Sequence, residues 1–268
     1  MKTILVTGST DGIGREAARV LVGRGERLLV HGRTRDKAER AAKELGGEPV
    51  VEPVAGDFGG LDEVRALAAE VARRAPRLDV LVNNAGIYAG RRGVSADGFE
   101  LTLAVNQLAP FLLTHLLIDA GVVGAGARIV FVSSNVHRSV RALDFEDLDR
   151  TREWDGYGAY ADSKLMNVAT AFELARRLEA RKVAVNAMHP GVIGTKLLHR
   201  GFGGSGGADV ARGAAGEVKL AIDPALEGVS GRYYDMTEES KASALAEDRA
   251  LQARVYEVCL ERTGAKAI

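Results

Sequence analysis

The most suggestive chemistry in the sequence lies in a tyrosine and a lysine four residues apart, Tyr160 and Lys164. On a helix that spacing puts both side chains on one face, within mutual reach. A phenol with a pKa near ~10 is a poor base at neutral pH, whereas a neighbouring ammonium stabilises phenolate and draws the pKa toward the working range. The pair is therefore predicted to act as a general acid and base. Tyr157 has no such partner, because the residue four positions on is Ala161. Ser134 closes an apolar, β-branched run and can donate a hydrogen bond to an oxygen on which charge develops. The five histidines are scattered without ligand-like pairing. Neither a metal site nor a Ser-His-Asp hydrolase is expected. His137 and His189 flank the tyrosine segment and could touch a substrate. Cys259 is the single cysteine, which excludes an internal disulfide framework and fits a reducing compartment.

A second constellation is the turn Thr7-Gly8-Ser9-Thr10-Asp11-Gly12-Ile13-Gly14, which follows the first apolar run and opens a helical one. Gly8, Gly12 and Gly14 permit a tight turn and close backbone approach. The free N–H groups and positive end of the new helix attract a pyrophosphate. At the end of the second apolar run, where NAD-preferring forms of such a site carry an acidic residue, the chain reads His31-Gly32-Arg33-Thr34-Arg35. Arg33 can be a solvated surface charge, or its planar guanidinium can grip a 2′-phosphate that a carboxylate would repel. The second reading predicts NADP (NADPH), with NAD still possible.

The elements that must position these residues follow from periodicity. Short β-branched runs at 3–7, 27–31, 49–54, 78–82, 127–132, 182–187 and 231–234 alternate with helical patterns at 12–23, 35–45, 60–74, 98–119 and 157–180. Alternating βα units with near-continuously apolar strands predict an α/β fold: a Rossmann-type, doubly wound, mostly parallel sheet of six or seven strands with helices on both faces. A single domain over residues 1–268 is expected. Seven of the sixteen residues in Gly201–Gly216 are glycine, predicting a mobile loop. The loop is either an inert connection or a lid within a substrate-loop region at 195–225.

Lys plus Arg and Asp plus Glu both number 36, so no charge asymmetry points to nucleic acid. The N-terminus enters a strand without a leader, and apolar runs are interrupted before the ~20 residues a bilayer-spanning helix needs. A cytoplasmic protein without membrane contact is expected.

Six segments, in order, resemble the short-chain dehydrogenase/reductase superfamily: TGxxxGxG at 7–14, Asn83-Asn84-Ala85-Gly86, Asn106 in LAVNQLAPFLLT, Ser134 in RIVFVSSN, YADSK at 160–164, and Pro190-Gly191 with Thr195. The resemblance runs from residue 3 to at least residue 197. It implies that Asn83, Ala85 and Gly86 lie against the adenosine half of a dinucleotide, and that Arg15 is a second basic position of NADP-using relatives. It further implies that Asp57 contacts the adenine amino group, although Asp57 could equally cap the next helix. By the same resemblance Lys164 bonds the nicotinamide ribose, the Asn106 carbonyl holds a relay water near the lysine, and Ser134 is chosen over Ser133. In the loop that begins at Pro190-Gly191, the backbone at Ile193 and the Thr195 hydroxyl would hold the carboxamide.

The segments YADSKLMNV and SGRYYDMTEESKASALAEDRALQARVYE are similar to the retinol-dehydrogenase and WW-domain-oxidoreductase-like branch. The implied activity is hydride transfer between NADP(H) and a ketone or aldehyde, or the corresponding alcohol. A cofactor-binding redox sensor with little catalysis is the alternative. A small-molecule substrate and a homodimer or homotetramer are implied as partners.

Overall fold

A computed structural model describes residues 1–46, 50–195, 197 and 206–268. Its centre is a sheet built from β1 (Thr3–Val6), β2 (Arg27–Gly32), β3 (Val51–Ala55), β4 (Val80–Asn83), β5 (Arg128–Val132), β6 (Ala184–His189), β7 (Tyr233–Asp235) and β8 (Glu238–Ser240). The order is β3-β2-β1-β4-β5-β6-β7-β8. The first seven strands run parallel and β8 returns antiparallel to β7. This eighth strand exceeds the six or seven expected. Its three residues, Glu-Glu-Ser, are exposed or half-buried, so no apolar run betrays it.

Among the described residues, seven helices of eleven or more residues flank the sheet: α1 (Gly12–Gly23), α2 (Arg35–Leu45), α3 (Leu61–Arg74), α4 (Leu101–Asp119), α5 (Gly156–Arg177), α6 (Val210–Ile222) and α7 (Arg249–Thr263). Alternate strand residues feed two cores. Ile129, Phe131, Val185 and Ala187 pack with α3, α4, α5 and α7 on one face, while Val130, Val132 and Met188 pack with α1, α2 and α6 on the other. Both sheet faces are thus dry, which explains the continuous hydrophobicity of the strands. Each fully buried Leu or Phe on these faces contributes about 1.5–3 kcal/mol.

α4 is by length and composition able to cross a bilayer, contrary to the expectation that every apolar run stops short, but 89% of it is buried inside the protein. Asn106 does not end it. Instead the helix widens to a π-turn at Ala104–Leu108, a local irregularity common at functional sites.

The predicted glycine-rich loop is shorter than its composition suggests. Residues 201–205 lie outside the described residues, and Val210–Ile222 is helix α6, capped by the Asp209 side chain on Ala211 N–H. Gly213 and Gly216 serve close packing here rather than flexibility. A Cβ on Gly216 would lie 2.4 Å from the Met236 carbonyl oxygen, and one on Gly213 would lie 2.8 Å from Ile193.

Candidate active site

The strand order reverses direction between β1 and β4, and a crevice opens there at the carboxyl ends of the strands, as open α/β sheets require. A cavity of about 660 Å³ fills it, lined by Gly8, Thr10, Asp11, Gly12, Ile13, Gly14, Arg33, Asp57, Asn84, Ala85, Gly86 and Thr195, with His31 and Phe58 at its side. The glycine turn is shaped by backbone demands. Gly8 and Gly12 adopt φ of +67° and +58°, and a Cβ on Gly14 would meet Asn84 Nδ2 at 2.3 Å. Asp11 caps α1 by accepting from Gly12 N–H. An extended dinucleotide fits this donor-rich, glycine-lined cradle.

Three predicted cofactor residues are placed differently from the expectation. Ser9 is fully buried; its hydroxyl donates to the Val6 carbonyl and accepts from His31 N–H, so it ties β1 to β2. Arg15 is absent from the cavity lining and pairs with Glu44 on the surface. Asn83 points its amide into the core, donating to Thr114 Oγ1 at 3.1 Å. Strand alternation sends Asn83 inward and leaves Asn84 to do the work: Asn84 Nδ2 donates to the Thr7 and Gly8 carbonyls at 2.6 and 3.3 Å. Ile193 is buried, bridged to Ala208 and packed on α6. Pro190 and Gly191 leave β6, the latter at φ +95°, and Thr195 N–H donates to the Ile193 carbonyl.

At the adenosine end Arg33 Nε lies 3.9 Å from Asp57 Oδ2, both largely exposed to the cavity. Asp57 does not cap α3, whose N-cap is Gly60; it closes a turn by accepting from Gly59 N–H. His31 was not singled out from the sequence. Its Nδ1 accepts from Gly8 N–H at 3.0 Å and its Nε2 faces the Gly56 carbonyl at 2.9 Å. That pattern holds the neutral ring, and burial pushes its pKa down to about 4.

At the other end of the crevice Tyr160 and Lys164 project together from α5. The Tyr160 phenol is hydrogen-bonded to Ser134, and burial pushes it up to about 12 against that bond. The expected lowering by the ammonium is therefore not what the site displays: Lys164 Nζ sits 5.6 Å from the centre of the ring and donates to the Val132 carbonyl at 2.8 Å. Burial lowers Lys164 to about 8, opposed by the charge of Glu217. Ser133 turns inward, donating to the Lys164 carbonyl at 2.7 Å. A Cβ on the cavity-lining Gly86 would lie 3.5 Å from Lys164 Nζ, so the glycine-lined cavity reaches the lysine.

Asn106 anchors this end. Its Oδ1 accepts from Ile87 N–H, and its Nδ2 donates to the Ile87 carbonyl and Ser163 Oγ. Its carbonyl accepts from Asn167 Nδ2 at 2.7 Å, and Asn167 Oδ1 accepts from Lys164 Nζ at 3.4 Å. Where the resemblance implies a relay water, the Asn167 side chain links the Asn106 carbonyl to Lys164. Its position three residues beyond Lys164 on the same helical face was the signal that could have found it. His137 is engaged at both ring nitrogens, with the Ser134 carbonyl and Ser243 N–H. Tyr157 sits at the exposed start of α5. Among the described residues no cluster of three or more His, Cys, Asp or Glu could hold a metal.

Comparison with known proteins agrees with this architecture. The short chain dehydrogenase family model matches residues 2–202. The chain is 35% identical to human retinol dehydrogenase 13, over 99% of this chain and 86% of that protein, and 35% identical to human retinol dehydrogenase 14, over 96% and 84%. Among solved structures, an uncharacterised protein from Mycobacterium paratuberculosis superposes with a TM-score of 0.83 at 29% identity, covering 99% of this chain and 94% of that one. Landomycin C-6 ketoreductase, solved with NADP and rabelomycin, superposes at 0.67 with 29% identity, covering 88% and 94%. The chain belongs to the short-chain dehydrogenase/reductase family, within its retinol-dehydrogenase-like branch, and is an oxidoreductase of alcohols and carbonyl compounds that uses a nicotinamide cofactor.

Proposed function

We propose that the protein is an NADP(H)-dependent reductase of ketones or aldehydes, and oxidant of the corresponding alcohols, with Tyr160 as acid/base. The observation that carries this reading is the Ser134–Tyr160 hydrogen bond, set beside the Lys164 ammonium where the glycine-lined cavity ends. When bound, the nicotinamide supplies or accepts hydride. Gly8, Gly12 and Gly14 would hold its pyrophosphate against the N-terminus of α1, and Arg33 would meet the 2′-phosphate.

Ser134 orients the substrate oxygen toward the phenol. Tyr160, protonated at neutral pH, donates its proton to the oxygen as it becomes an alkoxide, and takes it back during alcohol oxidation. Lys164, held by Val132 and Asn167, supports the phenolate left behind. Similarity to proteins named retinol dehydrogenases, and to a ketoreductase, favours an apolar alcohol or carbonyl compound as substrate.

Tyr160→Phe tests the assignment. NADPH oxidation with a panel of ketones, aldehydes and quinones should fall by about 10²–10⁴-fold, while NADPH still binds. Wild-type turnover in the variant would refute Tyr160 as the proton donor. Absence of any turnover by the wild type, with NADPH bound, would favour the sensor.

A further inference from the structure

Ser134 stands just beyond β5, at the head of a 3-10 turn over Asn135–Ser139. The chain that follows α6 ties this turn down. Asn135 Nδ2 donates to Asp235 Oδ2 on β7 at 3.0 Å, and Asn135 Oδ1 accepts from the Tyr233 hydroxyl at 3.0 Å. Arg138 donates to Asn135 Oδ1 and to the Lys241 carbonyl. Tyr233, Asp235 and Lys241 all lie beyond residue 202, where the match to the short chain dehydrogenase family model ends.

Within the turn His137 is fully buried, its ring centre 5.0 Å from that of Tyr233. Its Nε2 lies 3.1 Å from the backbone nitrogen of Ser243. A backbone N–H can only donate, so Nε2 carries the lone pair and the proton of the neutral ring is on Nδ1. Nδ1 therefore donates to the Ser134 carbonyl, 2.7 Å away, and the His137 N–H donates to the same oxygen at 3.1 Å. Burial lowers the His137 pKa against its bond to Ser134, which favours the neutral ring this pattern needs. The other described histidines have different surroundings. His31 serves the glycine turn, His115 faces the Phe111 carbonyl and the Tyr256 hydroxyl in the core, and His189 Nδ1 has no partner among the described residues.

We propose that His137 is a positioning residue for Ser134: donating from Nδ1 to the serine carbonyl, with its ring fixed by the Ser243 N–H, it sets the orientation in which the serine hydroxyl meets Tyr160. The proposal rests on Ser134 and Tyr160 belonging to the catalytic group. A peptide whose carbonyl is held by two donors is restrained in rotation, and the Cα–Cβ bond beside it is aimed by the same restraint. Ser134 Oγ, which also accepts from Val136 N–H at 3.4 Å, is left on the phenol. A substrate contact was the expectation for His137 from sequence; enclosed and engaged at both nitrogens, the ring acts through the serine instead.

The test is a double-variant cycle. His137→Phe keeps a ring against Tyr233 and removes both ring hydrogen bonds, leaving the serine carbonyl its backbone donor. His137→Asn presents an amide N–H near the position of Nδ1. Ser134→Ala should lower kcat for carbonyl reduction by about 10²–10³-fold, the loss typical of one donor to a developing oxyanion. His137→Phe should lower it by about 10- to 10²-fold, as misplacement by ~1 Å does, with NADPH affinity and substrate KM near wild type, and His137→Asn should recover most of the loss. Added to Ser134→Ala, His137→Phe should cost nothing further, because the group it positions is gone.

A loss from His137→Phe that is as large without the serine hydroxyl as with it marks a general structural role and overturns the proposal. Wild-type kcat in His137→Phe, or an Asn variant as slow as the Phe variant, overturns it too. Should His137→Phe not fold, Ser243→Pro takes its place in the cycle. It deletes the N–H that fixes the ring, at a φ of −69° that proline adopts, and Ser243→Ala, which keeps that N–H, is its control. The same non-additivity with Ser134→Ala is expected, and additive losses overturn the proposal. Wild-type turnover in Ser134→Ala would instead overturn the reading of the serine as part of the catalytic group, and this proposal with it.

Discussion

Removal of the Arg33 guanidinium separates NADPH from NADH binding in a way the structure lets one size. Arg33 and Asp57 are 3.9 Å apart with side chains 66% and 49% exposed. An ion pair so open to solvent contributes about 0–1 kcal/mol, so Arg33 leaves Asp57 at little cost to meet a phosphate. A charge-assisted hydrogen bond to a phosphate contributes about 1.5–3 kcal/mol. Subtracting the lost pair leaves about 0.5–3 kcal/mol, or roughly 2- to 150-fold in dissociation constant. Arg33→Ala should therefore weaken NADPH by that factor in a calorimetric or fluorescence titration. NADH, which lacks the 2′-phosphate, should bind almost as before, and the melting temperature should scarcely move because the side chain supports no packing. Equal weakening of both cofactors would show that Arg33 does not read the phosphate. Tighter NADH than NADPH in the wild type would remove the basis for the NADP assignment altogether.

Asn167→Leu deprives the Asn106 carbonyl and Gln107 Oε1 of their donor. At about 1–3 kcal/mol for each orphaned buried acceptor it should lower the urea midpoint clearly and slow turnover more than Asn167→Asp, a ranking that steady-state kinetics on the two variants would check. Because Tyr160 is held as a phenol by burial, alcohol oxidation should climb steadily from pH 7 to 10 while carbonyl reduction does not. Parallel profiles in the two directions would contradict that protonation state. Acid should destabilise the fold through His31 and His115, each pushed by burial to about 4. Both are neutral in the folded and unfolded chains above their ordinary value near 6.5. As pH falls toward 4 only the unfolded chain gains the protons, so stability drops by up to about 3 kcal/mol per histidine. Denaturant midpoints that stay flat between pH 6.5 and 4 would refute this.

Much of the molecule is readable along the chain because its signals are local. The seven parallel strands and first five helices follow from period and β-branching, and the glycine turn from φ values that disfavour a side chain. The Tyr160–Lys164 pair follows from one helical turn. Other features depend on what meets what after folding. β8 is three polar residues that pair only because β7 lies beside them. α6 reads as loop because its glycines look flexible, yet Gly213 and Gly216 are small where Ile193 and Met236 press close.

The candidate site divides the same way. The family resemblance places Asn83 and Arg15, and the glycine-turn motif Ser9, near the cofactor, whereas tertiary contacts carry their side chains elsewhere. His31 stands at a distance in sequence from the glycine turn that no local pattern bridges; only the sheet brings the two together. Even the protonation of Tyr160 was decided by tertiary structure: sequence places an ammonium one turn away, but burial raises the phenol against its hydrogen bond with Ser134. Residue type and spacing thus determined the chemistry available, and desolvation and packing determined which groups carry it and in which charge state.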